Sequence, residues 1–264
     1  MIRLAIAALL TLASFSVSTI ASAQTEQQTL VDRATLAVQD MVGSTTPDSD
    51  VRSLLKRAKG VVVCPRVFKA GFILGGQGGG CVLVGRGPQS WSGPAFYGMG
   101  SGSVGLQIGI QDSQVMMIIL TEKGLRALMD SQFKIGADAS IAFATVGAGV
   151  EGSTTAAFNA DIVSFSNTRG LFAGISLDGS LIGARSDWNQ AYYGQPLAAQ
   201  QIVLQMQGAN PGADPLREML GRFAGDQNYA QTASPQTQGG QDAPMPMPVP
   251  GSRASVRSAP LPPR

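Results

Sequence analysis

Short aliphatic runs separated by glycine-rich turns fill most of the chain between residues 61 and 184, and this alternation most strongly limits the possible folds. Glycine supplies 33 of the 264 residues, and it occupies five of the six positions 75–80. Closely spaced short strands with glycine turns predict a strongly bent antiparallel sheet or a small barrel. The predicted strands cover residues 61–64, 72–74, 81–84, 104–111, 115–120, 133–143, 154–158, 162–166, 171–177 and 181–184.

Residues on both sides of these runs show the spacing of amphipathic helices. Apolar residues recur every three or four positions over residues 26–42, and a second helix is expected from Asp48 or Ser49 to about Ala58. Further helices are predicted at residues 121–129, 187–206 and 214–224. The expected fold class is therefore α+β, with a glycine-rich sheet flanked by N- and C-terminal helices.

The first 23 residues have the features of a secretory signal peptide. Arg3 provides a positive start, residues 4–20 are apolar or small, and the small residues 21–23 form a cleavage site before Gln24. An uncleaved membrane anchor is the alternative, although the apolar run is short for one. The pattern predicts a mature protein that is secreted or exported to a compartment such as a bacterial periplasm.

Residues 226–264 have a composition that does not support a packed core. Eight of the fifteen prolines lie between residues 235 and 264, among Gln, Ser, Ala and Gly. Such a segment is expected to be extended or disordered. We interpret it as a spacer or dispensable tail, with a proline-rich recognition motif as the alternative. The folded domain is therefore predicted to span residues 24–225.

The residue types that most catalytic and metal sites need are scarce in this chain. It has no histidine and only two cysteines, which excludes a Ser-His-Asp triad, a Cys-His pair and the common zinc sites. Residues 100–105 and 147–152 match the dinucleotide-binding pattern G-x-G-x-x-G, but strand-like rather than helical residues follow them. We therefore predict no catalytic residues, no metal and no cofactor, and a protein that is not an enzyme.

Charge is distributed unevenly along the chain. The formal net charge is only +2, yet residues 51–86 hold seven Lys or Arg and no Asp or Glu. Residues 24–50 hold five acidic residues against one Arg. The basic run predicts either a site for an anionic partner or a solvated helix face that the acidic segment neutralises. The small net charge argues against nucleic acid as that partner.

Two cysteines and two aromatic groups leave further alternatives open. Cys64 and Cys81 lie on two predicted neighbouring strands, where they can form a disulfide in an oxidising compartment or remain two buried thiols. The aromatic groups can pack in the core or lie at a membrane interface. They comprise Trp91, Phe96 and Tyr97, and Trp188, Tyr192 and Tyr193.

Several motifs follow one another in order over about residues 30–205. The most specific is Arg169-Gly-Leu-Phe-Ala-Gly-Ile-Ser-Leu-Asp-Gly-Ser180. The others are Ala58-Lys-Gly60, Lys69-Ala-Gly-Phe72, Trp91-Ser-Gly-Pro94, Gly105-Leu-Gln-Ile-Gly109, Met117-Ile-Ile-Leu120, Asn189 and Tyr192-Tyr-Gly194. Together they resemble the SYLF lipid-binding domain, a family also catalogued as an actin-binding domain after its yeast members.

The resemblance implies a non-enzymatic domain that binds acidic phospholipids through an N-terminal amphipathic helix and nearby basic residues. One departure is the segment 147–152, which contains Glu151 and no arginine where eukaryotic members tend to have Gly-Pro-Leu-Gly-Arg. We expect a protein that binds peripherally to membranes of anionic phospholipid, such as phosphatidylglycerol or cardiolipin. The alternative is a structural or adaptor protein that binds an actin-like or envelope protein. The candidate lipid-binding residues are Arg52, Lys56, Arg57, Lys59 and Lys69.

Overall fold

The computed structural model describes residues 18–226, with gaps at residues 73, 105–108, 131, 146–158, 171–176 and 178. The described residues belong to a compact unit that covers residues 1–233. None of the helices in these ranges is long and apolar enough to cross a membrane. Outside the described residues lie most of the predicted signal peptide, nearly all of the predicted tail, and the predicted strands 154–158 and 171–177 apart from Leu177. The segment 147–152 and parts of the motifs 100–105, 105–109 and 169–180 also lie outside them.

Eight strands form one strongly curled sheet in the order β5-β8-β3-β2-β1-β4-β7-β6. All neighbouring strands are antiparallel except β6 and β7, which run parallel. This arrangement confirms the predicted α+β class with a bent, largely antiparallel sheet. The strands are β1 Gly60–Gly71, β2 Leu74–Gly85, β3 Ala95–Val104, β4 Gly109–Ile119, β5 Gln132–Lys134, β6 Ile141–Thr145, β7 Ile162–Gly170 and β8 Leu181–Ala184.

Helices precede, interrupt and follow the sheet. The Thr121 hydroxyl accepts a hydrogen bond from the Gly124 N–H and caps α3 at the predicted position. The prediction of one continuous helix over residues 187–206 is wrong. Gly194 adopts φ +69° and ends the helix Ser186–Tyr193 (α4), and Pro196 follows two residues later. The helices in the described part of the chain are α1 Ser18–Val38, α2 Asp50–Arg57, α3 Glu122–Met129, α4 Ser186–Tyr193, α5 Ala199–Val203 and α6 Asp214–Ala224.

Several strand assignments from the sequence need correction. Residues 109–111 and 115–119, predicted in separate strands, both belong to β4, and β3 covers residues 95–103, where no strand was predicted.

Phe72, predicted to lie in a strand over residues 72–74, lies instead between β1, which ends at Gly71, and β2, which begins at Leu74; Gly71 pairs with Gly75. Residues 75–80, predicted as a turn, belong to β2 and pair with β1 on one side and β3 on the other. Hydrogen bonds from both neighbours offset the weak strand preference of glycine. Residues 133–143, predicted as one strand, divide into β5 and β6.

Apolar side chains cover both faces of the central sheet. On β1, Val61 and Val63 belong to a cluster that includes residues of α1, α2 and α6. Val62 and Cys64 belong to a second cluster with residues of α3 and α5. Because successive strand side chains point to opposite faces, a continuous apolar run such as residues 61–64 supplies both clusters at once.

The two aromatic groups form part of this packing. The Phe96 ring contacts Trp188 and Tyr192 edge to face, with ring centroids 5.9 and 5.0 Å apart. Trp91 and Tyr97 are also almost completely buried. The structure therefore favours the packing interpretation over a membrane interface for these residues.

A β-bulge at Pro65 and Arg66 interrupts β1, the central strand. The pairing of β1 with both neighbours shifts here, between Cys64 and Val67 on the β4 side. Proline cannot donate a ladder hydrogen bond, so a bulge is one of the few places where a central strand accepts it. Opposite the bulge, the Arg66 carbonyl oxygen comes so close to Gly79 that a Cβ atom there would overlap it.

We expect Gly79→Ala to lower the free energy of unfolding by about 1–3 kcal/mol, because the added methyl group meets backbone rather than a flexible side chain. Gly102→Ala is the matched control, since a Cβ at this glycine meets nothing within 4 Å. It should change stability by no more than about 0.5 kcal/mol. Urea denaturation of both variants measures the difference, and equal stabilities would contradict the close approach at the bulge.

Cys64 and Cys81 form a disulfide between β1 and β2, directly before the bulge. Their sulfur atoms are 2.01 Å apart and their Cα atoms 4.1 Å apart. Both residues are fully buried. Of the two alternatives that the sequence leaves open, the structure has the covalent bridge, which fastens the β1–β2 hairpin across a separation of 17 residues.

The protein unfolded without reductant should contain no thiol that reacts with iodoacetamide, as measured by mass spectrometry. The double variant Cys64→Ala/Cys81→Ala should lose about 3 kcal/mol of stability, because its unfolded chain is no longer cross-linked. Two alkylated cysteines in the unreduced parent protein would show that the bridge is not formed.

Candidate functional site

The five candidate cations lie at two separate places on the fold. Arg52, Lys56 and Arg57 lie on α2, and Lys59 directly precedes β1. Lys69 lies near the other end of β1, ten residues further along the chain. In an extended strand this separation corresponds to roughly 30 Å. The five residues therefore do not form one surface, and we call the first four the proximal basic surface.

Helix α2 packs its apolar face onto the core and exposes its cations. Val51, Leu54 and Leu55 on this face are at most 4% exposed, whereas Lys56 and Arg57 are exposed in the last turn. Cations in a last turn also interact favourably with the helix dipole. Since the apolar face is occupied by the protein's own core, α2 can contribute charge to a membrane contact but not an inserted apolar face.

Arg52 and Lys59 on the proximal basic surface also contact other residues of the domain. The Arg52 guanidinium donates to the Val42 carbonyl oxygen at 3.1 Å and lies 4.8 Å from the centre of the Phe223 ring. It therefore joins α2 to the π-helical segment Gln39–Gly43 that follows α1, and to α6. Lys59 forms an ion pair with Glu122 at 3.5 Å, and both side chains are about half exposed. Exposed pairs of this kind add little stability, so Lys59 can exchange this partner for another anion.

Two carboxylates of the acidic segment 24–50 are oriented by neutral amides. Asp32 accepts a hydrogen bond from the Gln28 side chain at 2.7 Å. Asp40 accepts one from the Gln114 side chain at 3.1 Å. These contacts draw Asp32 and Asp40 to groups other than the candidate cations.

Large apolar side chains are exposed where strands β1 to β4 extend beyond the core. We call this region the sheet tip and define it as the described residues of 66–80 and 98–112. Leu74 is 71% exposed, Phe72 and Ile110 are 61% exposed, and Phe68 is 41% exposed. Phe72 lies in the β1–β2 turn, where its N–H donates to the Leu74 carbonyl oxygen at 3.3 Å.

The strand register places three of these apolar residues on one face of the sheet. Ala70 lies opposite Ile110 on β4 and opposite Gly76 on β2. Phe68 is two residues from Ala70 on β1, and Leu74 is two residues from Gly76 on β2. Side chains two residues apart on a strand share a face. Phe68, Leu74 and Ile110 therefore form an apolar patch across three adjacent strands.

Cations accompany this apolar patch. The Arg66 Nε atom lies 2.6 Å from Asp112 Oδ2, and the Arg66 guanidinium lies 5.7 Å from the Phe68 ring centre. Lys69 directly follows Phe68 on β1, so its side chain lies at the same level on the opposite face of the sheet, beside Gln111. Residues 66–80 and 98–112 contain these two cations and one acid, Asp112. The sheet tip thus combines exposed apolar groups with a net positive charge.

Sequence reasoning did not identify the apolar residues of the sheet tip. It assigned Phe72 and Leu74 to a buried strand, because an apolar run usually indicates burial. The available signal was the glycine on both sides: large apolar residues isolated among glycines have few neighbouring side chains to cover them. Ile110 shows the same feature, since it follows Gly109 at the start of β4.

The ionisable groups with shifted pKa values serve the fold. Burial raises the pKa of Tyr97, Tyr192 and Tyr193 above its usual range. Hydrogen bonds, first among them one from the Thr121 hydroxyl, lower the pKa of Asp161 to about 2. None of these groups lies on the proximal basic surface or the sheet tip. The described residues also contain no group of three or more His, Cys, Asp or Glu that could hold a metal ion.

Comparison with known proteins identifies the relatives of this domain. Residues 100–223 match the family model Ysc84, described as "Las17-binding protein actin regulator". Protein YSC84 of Saccharomyces cerevisiae is 30% identical over 171 residues, which cover 63% of this chain and 36% of that protein. The human SH3 domain-containing YSC84-like protein 1 is 29% identical over 216 residues, which cover 79% of this chain and 63% of that protein.

A second yeast protein, LAS seventeen-binding protein 3, is 30% identical over 171 residues and is covered to 37% of its length. The chain thus spans between about one third and two thirds of these three relatives. No solved structure matches the chain. These findings confirm the resemblance that the sequence motifs indicate.

Proposed function

Residues 100–223 belong to the Ysc84 family, and from this premise we propose that the protein is a non-enzymatic domain that binds anionic phospholipids at a membrane surface. The cations of residues 51–69 provide the attraction. The observation that carries the proposal is the acid-free run of seven Lys and Arg over residues 51–86. Of these cations, Lys56 and Arg57 are exposed on a helix that the core holds in place.

The physical basis of the proposal is the negative surface potential of membranes that contain anionic lipid. Each Lys or Arg near such a surface contributes about 1 kcal/mol of attraction, and this contribution falls off within a Debye length. That length is about 8–10 Å at ordinary ionic strength. Only cations close to the lipid head groups therefore contribute, so binding should depend on lipid charge and on salt.

The proposal can be tested with Lys56→Gln/Arg57→Gln/Lys69→Gln, which neutralises exposed or half-buried cations at both ends of the segment. Lys123→Gln/Arg126→Gln/Lys134→Gln is the matched control, because it removes the same charge from exposed positions on α3 and β5. The first variant should partition into vesicles of phosphatidylcholine and phosphatidylglycerol about fivefold more weakly if one cation contacts lipid, and about a hundredfold if all three do.

Co-sedimentation with these vesicles, and with vesicles of phosphatidylcholine alone, measures the effect. The control variant should bind like the parent protein, and added salt should weaken the binding of both. Binding that is indifferent to lipid charge, or equal losses in the two variants, would contradict the proposal.

We further propose that the protein acts in an exported compartment after loss of residues 1–23. The supporting features are the positive start, the apolar run and the small residues before Gln24. Mass spectrometry of the protein purified from its own cells should find Gln24 as the first residue. Recovery of the chain with Met1 or Ile2 at its start would contradict this proposal.

A protein partner is the second candidate function, and the names of the relatives favour it. One yeast relative is named as a LAS seventeen-binding protein, and the family model is described as an actin regulator. In this interpretation the proximal basic surface meets an acidic protein instead of lipid. The vesicle experiment favours this second candidate if the parent protein does not co-sediment with the charged vesicles at physiological salt.

A further inference from the structure

We propose that the sheet tip is the part of the domain that enters the membrane, with Phe72, Leu74 and Ile110 inserted at the boundary between head groups and acyl chains. This inference rests on the proposed function, because it names the surface through which the domain would meet anionic phospholipid. It adds an inserted apolar surface to the membrane contact, at the end of β1 opposite the proximal basic surface.

Exposure singles out the sheet tip as the most apolar surface that strands present to solvent in the described part of the chain. Phe72, Leu74 and Ile110 are each more than 60% exposed. Their strands continue inwards to residues such as Val62 and Met117, which are 1% exposed or less. Apolar groups that a fold leaves in water are a frequent mark of a protein or membrane contact.

The apolar face of the sheet tip is separate from the hydrophobic core. On β4, Gln111 and Ser113 alternate with Ile110 and face the opposite side of the sheet, where both are at most 2% exposed. The Gln111 side chain donates to the Ser113 hydroxyl at 3.0 Å. A polar layer therefore lies behind the apolar patch. Removing the exposed side chains should leave this layer and the core intact.

The backbone N–H and C=O groups of β1 and β2 in the sheet tip are largely hydrogen-bonded within the sheet, which lowers the cost of moving them out of water. Strand β1 pairs with β2 and β4 as far as Gly71, and β2 pairs with β3 as far as Leu74. Unpaired N–H and C=O groups are the main cost of placing polypeptide in lipid. In this region the ladders satisfy most of these groups on β1 and β2 before any contact with a membrane, whereas the outer edges of β3 beyond Gly100 and of β4 before Gln111 pair with no described strand.

The charges at the sheet tip favour an anionic membrane over another apolar partner. Lys69 lies on β1, three residues before Phe72 and on the other face of the sheet beside Gln111, so a membrane that takes up the tip end-on meets this cation at the head-group level. Long basic side chains extend naturally to that level while their carbon stems remain in apolar surroundings. Asp112 is already paired with Arg66, which limits its repulsion of anionic lipid.

The test compares Phe72→Ser/Leu74→Ser with Leu204→Ser/Met206→Ser. The second pair is the matched control, because Leu204 and Met206 are also exposed, at 47% and 37%, but lie near Gly85 and Gly87, beyond the other end of β2. The tip variant should partition into vesicles of phosphatidylcholine and phosphatidylglycerol at least about tenfold more weakly than the parent protein, because it no longer transfers two large apolar side chains into the membrane. The control should bind within about twofold of the parent protein, a difference that lies inside the spread expected for a surface change.

Two further readouts make the assignment specific. Phe72→Trp should give a blue-shifted fluorescence that brominated lipids quench only when the vesicles contain phosphatidylglycerol. Lys69→Gln should weaken binding, whereas Lys123→Gln should not, since Lys123 is exposed on α3 and belongs to neither the sheet tip nor the proximal basic surface. Thermal unfolding of every variant checks that the fold is retained.

The outcomes separate this inference from the proposed function. If the parent protein binds charged vesicles and the tip variant binds equally well, the membrane contact lies elsewhere, and only this inference is wrong. If the parent protein does not bind charged vesicles, the proposed function is wrong and insertion is excluded with it. If the tip variant instead changes the sedimentation of the protein without lipid, the apolar patch joins two copies of this chain and the inference is overturned.

Discussion

The hydrogen bonds that β1 makes with β2 and β4 hold the structure together, and the other elements are arranged around them. β1 is paired along both edges, and the side chains of its first half are buried on both faces. The cluster under α1, α2 and α6 uses one set of these side chains, and the cluster under α3 and α5 uses the other. A strand shared in this way couples two helical layers, because neither layer can move without disturbing the same ladder.

The same strand also leaves the core, and the bulge at Pro65 and Arg66 marks the point where it does so. Before the bulge, side-chain packing keeps the sheet in place. Beyond it, β2 and β3 are rich in glycine and the sheet tip depends mainly on backbone pairing. This division explains how one strand can serve a rigid core and still present Phe68 and its neighbours to solvent.

The sequence indicates those features that depend on local chemistry. The Thr121 cap and the valine run of β1 each follow from neighbouring residues, and the structure contains both. For Cys64 and Cys81 the sequence leaves a bridge and two free thiols as alternatives, and the structure contains the bridge. The glycines at 75–80 were assigned to a turn because their strand state depends on partners that are distant in sequence. The basic candidates were grouped for a similar reason: Lys59 and Lys69 are close in the chain, but an extended strand separates them. Helix periodicity alone also could not show that Gly194 divides residues 187–206.

The position of the disulfide has a mechanical consequence. Cys64 and Cys81 cross-link β1 to β2 at the boundary between the core and the sheet tip. A force that pulls on the β1–β2 turn loads both strands of the hairpin and tends to peel their ladder apart from the turn inwards. Such peeling must stop at the covalent bond, and from there β1 and β2 carry the load as one double strand. The tip can therefore be strained or pulled open at its outer end while the register of the core remains fixed.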